Sequence, residues 1–164
     1  MLHARPPRAE AKRSPLFRRA IREFMTADFI RVRPDTPVQG AHALMRSTNM
    51  RDLVVMDGEK LAGVICQFDL YLIQSLTDAD PESAVVEEAM TTQPYVVAPE
   101  VSLEQVARTM WTQRYGSAVV VQDDRVVGIF TVADSLRALS QVLSADDDDE
   151  QTNASTIEVN PTLE

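Results

Sequence analysis

The chain contains two pairs of short apolar runs that have the length and composition of β-strands. The first pair covers residues 53–56 and 61–65, and the second covers residues 119–121 and 126–130. The runs are rich in β-branched residues, and a short polar segment separates the two runs of each pair. Such runs on either side of a polar turn are typical of β-hairpins. The pattern therefore predicts one hairpin in each half of the chain.

Segments with helical periodicity lie before and after each predicted hairpin. A short extended segment, residues 30–32 or 95–97, precedes the first helix of each half. In the second half, helical spacing predicts one buried face formed by Leu103, Val106, Ala107, Met110 and Trp111. The helix after each hairpin has its apolar positions at Phe68, Leu72, Ile73 and Leu76, or at Val132, Leu136, Leu139, Val142 and Leu143. Each half therefore has the order β-α-β-β-α.

Both predicted first helices begin at a candidate capping residue. Thr36, Pro37 and Gln39 match a capping box with proline at the first helical position. Ser102 and Gln105 match the same pattern one residue later in the second half. The sequence therefore predicts that Thr36 and Ser102 cap the two helices.

The two halves align without a gap when the sequence is shifted by 65 positions. The identical pairs include Met25-Thr26 with Met90-Thr91, Pro34 with Pro99, Met45 with Met110, Val54-Val55 with Val119-Val120, Gly63 with Gly128, and Asp69 with Asp134. A repeat of this length indicates two copies of one unit, each too small to bury its own apolar face. We therefore expect an α/β (α+β) fold in which tandem β-α-β-β-α repeats, residues 24–79 and 80–143, form one pseudo-twofold, two-layer module.

The composition fits one compact domain with an aliphatic core. Of the 164 residues, 45% are hydrophobic but only 5% are aromatic. The longest apolar runs, such as residues 118–121, are far shorter than the roughly 20 residues of a membrane-spanning helix. The basic N-terminus lacks the apolar segment of a secretory signal, and the single cysteine, Cys66, allows no internal disulfide. We therefore expect a cytoplasmic protein with no membrane insertion.

Charge is distributed unevenly between the two ends. Residues 1–22 carry seven Lys or Arg and one acid, whereas residues 145–164 carry seven acids and no base. We expect residues 1–23 to form a basic arm, partly disordered and with a short helix from about Leu16, and residues 144–164 to form an acidic disordered tail. The formal net charge of −9 argues against nucleic acid as a partner and leaves only the basic arm as a candidate surface for it.

The segment around Thr131 and Asp134 has chemistry that suits a nucleotide. Thr131 stands where a predicted strand meets a predicted helix, so its hydroxyl and the unpaired N–H groups of the first helical turn suit a phosphate. Asp134 presents two acceptor oxygens, which suit the two hydroxyls of a ribose. The same spacing also fits a plain helix cap, so both interpretations stay open at this point.

Four sequence features of the repeats carry a family resemblance. They are the Met-Thr opening, the proline before the first helix, the Val-Val strand after Gly116-Ser117-Ala118, and Gly-Ile-Phe-Thr-Val-Ala-Asp at residues 128–134. Each repeat resembles a CBS domain, and the pair, about residues 24–143, resembles the tandem arrangement called a Bateman module. The resemblance implies that an adenosine-containing nucleotide binds between the repeats and that the protein is a homodimer formed through the CBS helices.

The resemblance also implies the residues of two sites. The main site would consist of Thr92, Tyr95, Val96, Gly116, Ser117, Ala118, Thr131 and Asp134. A weaker second site would consist of Ile30, Asp52, Leu53, Cys66 and Asp69. The second site is weaker because Cys66 replaces the threonine, and because Asp52 replaces Ser117 with a carboxylate that would repel phosphate.

The expected ligand is a regulatory adenosine compound, and no cofactor is required. No base lies within residues 66–69 or 131–134, which favours AMP over ADP or ATP and leaves S-adenosylmethionine open. The nearest candidates for phosphate contacts are Arg33, Arg51 and Arg114, each of which also fits a solvated surface residue.

Neither catalysis nor metal binding finds support in the sequence. His3, His42 and Cys66 form no catalytic pair and match no zinc pattern. We therefore predict a non-enzymatic sensor that relays ligand occupancy to an unidentified effector protein. The alternative is a structural dimeric adaptor with vestigial ligand clefts, and a third hypothesis is an RNA- or DNA-associated regulator that uses the basic arm.

Overall fold

The computed structural model describes residues 15–76 and 83–154. The first 14 residues of the predicted arm, residues 77–82 between the repeats and residues 155–164 of the predicted tail lie outside the described residues.

The structure confirms the doubled β-α-β-β-α order. The first repeat contains β1 (Arg31–Val32), α1 (Val38–Thr48), β2 (Asp52–Asp57), β3 (Lys60–Cys66) and α2 (Gln67–Leu76). The second contains β4 (Tyr95–Val97), α3 (Leu103–Gln113), β5 (Ser117–Gln122), β6 (Arg125–Thr131) and α4 (Val132–Ala154). In each three-stranded sheet the first strand runs parallel to the middle strand, which pairs with the third as an antiparallel hairpin. The two repeats therefore have the same topology.

The apolar residues form three clusters. One cluster lies within each repeat, beneath the helices, and the third lies between the two sheets. The third contains Val54 and Met56 from β2, Val119 from β5, and Val126 and Ile129 from β6. Because neither sheet can cover this apolar surface alone, its burial provides a driving force for the repeats to pack on each other.

The core of each repeat is completed by residues from the segment that precedes the other repeat. The repeat boundaries predicted from the sequence did not anticipate this exchange. Ile21 and Phe24, which precede the first repeat, belong to the core of the second. Ala84 and Val86, which precede the second repeat, belong to the core of the first. We call residues 15–26 and 84–91 the lead-in segments. Their exchange means that neither repeat has a complete core by itself.

Backbone hydrogen bonds hold both lead-in segments in equivalent ways. The N–H of Ile21 donates to the carbonyl of Val101 at 2.7 Å, and the N–H of Val86 donates to the carbonyl of Thr36 at 2.9 Å. Further along, Thr26 exchanges two hydrogen bonds with Ile129 on β6, and Thr91 does the same with Val64 on β3. The repeated Met-Thr pairs are therefore the points at which each lead-in segment crosses the opposite sheet.

The predicted short helix from about Leu16 is wrong in detail. The structure has two separate 3₁₀ turns, Pro15–Arg18 and Ile21–Glu23. The N–H groups of Ile21 and Arg22 donate to carbonyls of the second repeat. Because these donors are used outside the segment, they cannot continue an α-helical hydrogen-bond pattern.

One of the two predicted helix caps is confirmed and the other is wrong. The Ser102 hydroxyl accepts from the N–H of Gln105 at 3.3 Å, as expected for a cap. The Thr36 hydroxyl instead accepts from the N–H of Arg33, and the first N–H of α1, at Val38, donates to the carbonyl of Ala84. The lead-in segment therefore supplies the partner that the predicted capping box was expected to supply.

The prediction that Trp111 lies on the buried face of α3 is also wrong. Leu103, Val106 and Met110 are buried, whereas the Trp111 side chain is 70% exposed. Trp111 lies about 100° around the helix from Met110, outside the stripe that faces the sheet. The Arg114 guanidinium lies over its ring, 4.7 Å from the ring centroid.

The acidic tail does not begin at residue 144. Helix α4 continues to Ala154, so the first part of the predicted disordered tail is helical. The prediction rested on the small apolar surface of this segment. A helix already formed by packing gains one hydrogen bond for each residue added, however, which favours its extension into the segment after residue 144.

Candidate functional site

The Asp134 carboxylate is the centre of a hydrogen-bond network at the start of α4. Its Oδ2 atom accepts from the N–H of Thr131 at 2.8 Å and from the Thr131 hydroxyl at 2.9 Å. Its Oδ1 atom accepts from the Thr26 hydroxyl at 3.1 Å and from Arg137 Nη2 at 2.7 Å. The carboxylate therefore caps its own helix through one oxygen and holds the first lead-in segment through the other.

Arg137 provides a second link between α4 and the first lead-in segment. Its Nη2 atom also donates to the carbonyl of Phe24 at 2.7 Å. Phe24 lies in the core of the second repeat, and Asp134 is itself only 4% exposed. The chain segment that enters the first repeat is thus fixed at two points beside one buried carboxylate.

A cleft of about 590 Å³ opens beside this network, and both repeats line it. The second repeat contributes Ile129, Thr131, Val132, Ala133, Asp134, Leu136 and Arg137. The lead-in segment contributes Thr26, and the first repeat contributes Asn49, Met50, Arg51 and Asp52. We call this the Asp134 cleft. Its size falls within the range of small-molecule sites.

The structure divides the predicted main site. Thr131 and Asp134 line the Asp134 cleft, whereas Gly116 lines a different groove of about 430 Å³ with Trp111 and Tyr115. Ser117 is buried on β5 opposite Thr131, and Ala118 is fully buried in the core of the second repeat.

The remaining three residues predicted for the main site also lie away from the Asp134 cleft. Thr92 is exposed, Val96 is exposed on β4, and Tyr95 stacks on Tyr115 with 5.3 Å between ring centroids. The neighbouring Thr91 pairs with β3 of the first repeat. The prediction took all eight residues from one repeat, but exchange of the lead-in segments brings walls from the other repeat to Asp134.

The weaker predicted site is divided in the same way. Asp52 lines the Asp134 cleft, while Cys66 and Asp69 lie together at the junction of β3 and α2. Leu53 is fully buried in the core of the first repeat, and Ile30 packs against that core and accepts from the N–H of Val54. Asp52, predicted for the weaker site, therefore lines the same cleft as Thr131 and Asp134 of the predicted main site.

Cys66 and Asp69 form a reduced version of the Thr131–Asp134 arrangement. The N–H of Cys66 donates to Asp69 Oδ2 at 3.0 Å, which matches the bond from Thr131 to Asp134. Burial raises the pKa of the Cys66 thiol to about 11, and its hydrogen bond to Asp69 contributes in the same direction. A thiol of this kind stays protonated at neutral pH, which disfavours it as a nucleophile.

The charges of the equivalent carboxylates of the two repeats, Asp69 and Asp134, both act on Asp52. Burial, together with the charges of Asp69 and Asp134, raises the pKa of Asp52 to about 6, and the charge of Arg51 opposes this shift. The equivalent position in the second repeat is the neutral Ser117. The Asp134 cleft therefore contains a carboxyl group that changes charge close to neutral pH.

Two arginines line the cleft, and only one of them was predicted from the sequence. Arg51, named as a candidate for phosphate contacts, lies there, whereas Arg33 forms an ion pair with Asp35 and Arg114 stacks on Trp111. Arg137 was missed. Its signal was its position three residues after Asp134, which places both side chains on one helical face.

Thr26 was also missed as a site residue, although it belongs to the Met-Thr pair that occurs in both repeats. In the sequence, that pair aligns the repeats and contributes to the family resemblance, but it carries no signal for a position in a binding site. Its position in the cleft depends on the pairing of Thr26 with Ile129, which joins segments that are far apart in sequence.

Metal-ligating side chains do not cluster in the described part of the chain. Within residues 15–76 and 83–154, no group of three or more His, Cys, Asp or Glu side chains could hold a metal ion. His42 packs edge-on against Tyr71, and among the described residues its Nε2 atom is a buried polar atom without a hydrogen-bond partner. None of the helices in this part of the chain is long and apolar enough to cross a membrane.

A family comparison agrees with this architecture. The family model for the CBS domain matches residues 21–74 and 86–141, one match for each repeat. The chain belongs to the CBS domain family. Both CBS matches begin within the lead-in segments defined above, and the two matched ranges include Thr131 and Asp134 as well as Cys66 and Asp69.

Three known proteins illustrate the range of relatives of this CBS pair. Over 112 residues, 68% of this chain, it is 30% identical to an inosine-5'-monophosphate dehydrogenase of Korarchaeum cryptofilum, and it spans 22% of that protein. The crystal structure of CBSX2 from Arabidopsis thaliana in complex with AMP is 28% identical, with a TM-score of 0.64, and the match covers 76% of this chain and 98% of that one. A hexameric CBS-CP12 protein from bloom-forming cyanobacteria is 25% identical, with a TM-score of 0.66 and coverage of 87% and 86%.

Proposed function

We propose that this CBS pair is a non-catalytic regulatory module that binds an adenosine-containing ligand in the Asp134 cleft and relays its occupancy to an effector protein. The observation that carries the proposal is the Asp134 carboxylate, which lies at a helix N-terminus and lines a cleft shared by both repeats. The AMP complex of CBSX2, a relative of matching fold, supports an adenosine ligand.

The ribose would bind by exchanging partners at Asp134. Oδ2 keeps its bonds to Thr131, whereas Oδ1 exchanges the Thr26 hydroxyl and the Arg137 guanidinium for ribose hydroxyls. Arg137, which is half exposed, then becomes available to a phosphate, and Arg51 lines the same cleft. Two guanidinium groups opposed by two carboxylates fit a single phosphate better than three, so AMP is favoured over ATP.

The same exchange provides a route for the signal. When Arg137 turns towards a ligand phosphate, it leaves the carbonyl of Phe24, and because the Thr26 hydroxyl has already left Asp134, the first lead-in segment loses both of its links to α4. This segment precedes the first repeat in sequence and packs in the core of the second repeat. Ligand binding would therefore change how firmly the residues at the N-terminal end are held, and an effector protein would detect that change.

The expected result of titrating the purified chain is stabilisation by AMP that depends on Asp134. A ligand at about 100 times its dissociation constant adds about 2.7 kcal/mol to the free energy of unfolding. We expect AMP to raise the melting temperature of the wild type by several degrees and to leave Asp134→Asn unchanged. Thermal melts with AMP, ADP, ATP, S-adenosylmethionine and GMP would measure this.

The matched control is Asp69→Asn, the same substitution at the equivalent position of the other repeat. It should respond to AMP like the wild type, because Asp69 does not line the Asp134 cleft. If no adenosine compound stabilises the wild type, the Thr131–Asp134 pair is a helix cap only, and the alternative of a dimeric adaptor with vestigial clefts takes its place.

We also propose that the protein self-associates as a homodimer through α2 and α4. Both helices leave large apolar side chains exposed, namely Phe68, Tyr71 and Leu72 on α2 and Val132, Leu136, Leu139 and Leu143 on α4. On α4 these side chains form one stripe, opposite the face that buries Ala138. A contiguous apolar surface of this kind is uncommon on a monomer, and the hexameric CBS-CP12 relative supports self-association.

A single charge in the α4 stripe is expected to break this dimer. Leu139→Glu would bury an unpaired carboxylate at the interface, so the variant should sediment as a monomer where the wild type sediments as a dimer. Ser140→Glu adds the same charge at the next exposed position and should leave the dimer intact. Analytical ultracentrifugation would distinguish the cases, and a monomeric wild type at micromolar concentration would contradict the proposal.

A further inference from the structure

At one equivalent position the first repeat has an acidic residue and the second repeat has a neutral one. The first residue of β2 is Asp52 and the first residue of β5 is Ser117, 65 positions later. Each pairs with the last residue of the hairpin, Asp52 with Cys66 and Ser117 with Thr131. Because exchange of the lead-in segments brings the first repeat to Asp134, the carboxyl of Asp52 lines the cleft that holds Thr131.

Charged and titratable groups surround Asp52 from every element near it. Asp69 on α2 and Asp134 on α4 are carboxylates that disfavour its ionised form, and Arg51, its neighbour in sequence, favours it. Cys66 stands opposite on β3 with a protonated thiol. Arg137 lines the cleft but is bound to Asp134. Asp52 thus adds negative charge to the cleft without an ion-pair partner of its own among the described residues.

We propose that Asp52 is the specificity-determining residue of the Asp134 cleft and selects adenosine ligands of low negative charge over adenosine di- and triphosphates. This inference rests on the proposed function, since it assumes that the cleft binds an adenosine compound. A carboxylate inside a partly buried cleft repels each added phosphate, and the low local dielectric strengthens that repulsion. A neutral nucleoside or a sulfonium compound experiences no such repulsion.

The selection depends on pH, with a sign that follows from the environment of Asp52. Burial raises the pKa of this carboxyl to about 6, so it is mostly ionised at pH 7.5 and mostly neutral at pH 5. Phosphate-bearing ligands should therefore bind more tightly, relative to adenosine, as the pH falls through about 6. A phosphate group also titrates near pH 6, so wild type and variant must be compared at each pH.

The test compares wild type, Asp52→Asn and Asp57→Asn by calorimetric titration with adenosine, AMP and ATP at pH 7.5 and pH 5. Asp57 is exposed at the opposite end of β2 and provides the matched control. At pH 7.5 we expect Asp52→Asn to bind ATP about tenfold more tightly than the wild type does, with adenosine unchanged. At pH 5 the difference between these two proteins should disappear. Asp57→Asn should match the wild type throughout.

The outcomes separate this inference from the proposed function. If adenosine and AMP bind but Asp52→Asn discriminates against ATP as the wild type does, Asp52 does not select the ligand and the proposed function stands. If none of the three ligands binds any of the proteins at either pH, the proposed function fails.

Thermal melts without ligand provide the folding control, because Asp52→Asn should melt above the wild type at pH 7.5 and by a smaller margin at pH 5. A second variant, Asp52→Ser, has at this position the serine that the second repeat has at the equivalent one.

Discussion

Asp134→Ala is expected to lower the free energy of unfolding by about 2–4 kcal/mol. The substitution removes the cap of α4, and it leaves the Thr131 N–H and the Thr26 hydroxyl without their buried acceptor. The ion pair with Arg137 contributes little to this loss, because the arginine is half exposed. Urea denaturation at neutral pH would measure the change.

The matched comparison is Asp69→Ala in the first repeat. The only partner that the described hydrogen bonds give to the Asp69 carboxylate is Cys66, so the expected loss is about 1 kcal/mol. Equal losses for the two variants would mean that the links from Asp134 to the lead-in segment add nothing to stability. The proposed signal route through Phe24 would then lose its basis.

Gly63→Ala is expected to cost about 2–3 kcal/mol, because the lead-in segment crosses β3 directly over this glycine. A Cβ atom at position 63 would collide with the backbone carbonyl oxygen of Thr91 and lie 3.3 Å from Met90 Sδ. The carbonyl cannot move away freely, since it accepts from the N–H of Val64 at 3.1 Å. Added volume at such a crossing forces the backbone apart. Chemical denaturation of the variant would measure the loss.

Two further glycine substitutions provide the controls. Gly128→Ala should cost less than Gly63→Ala, because its Cβ would first meet the flexible end of Met25, at 2.5 Å from Sδ. Gly116→Ala should be nearly neutral, since a Cβ there meets nothing within 4 Å. If all three substitutions have the same effect, the close crossings of the lead-in segments are not the cause of the losses.

The sequence predicted most of the secondary structure, because each element carries its own local signal. The β-branched runs around polar turns predicted both hairpins, helical spacing predicted α2, α3 and α4, and the capping pattern together with the repeat predicted α1. The errors occurred where a distant segment supplied the partner. Thr36 does not cap α1 because the carbonyl of Ala84 accepts its first N–H, and Leu16 begins no helix because the following N–H groups bond to the second repeat.

The same limit applies to the residues predicted for the candidate site. Thr131 and Asp134 were found because one local string contains both, and the structure places both in the cleft. Thr92, Tyr95 and Val96 were assigned beside them by the family resemblance, which took the whole site from the second repeat. In the fold, the Thr26 segment lies beside Asp134, so the wall of the cleft comes from the other repeat.

The sequence by itself therefore determined that two equivalent units exist, what elements each contains, and which short string has chemistry for a nucleotide. These properties depend on residues close together in the chain, where periodicity and spacing carry the signal. Only the tertiary structure decided which lead-in segment completes which core. Both pairings would satisfy the same local pattern, and burial of Ile21 and Val86 against the opposite repeats distinguishes them. That choice brings Thr26, Arg51 and Asp52 to Asp134, and thereby sets the charge of the cleft.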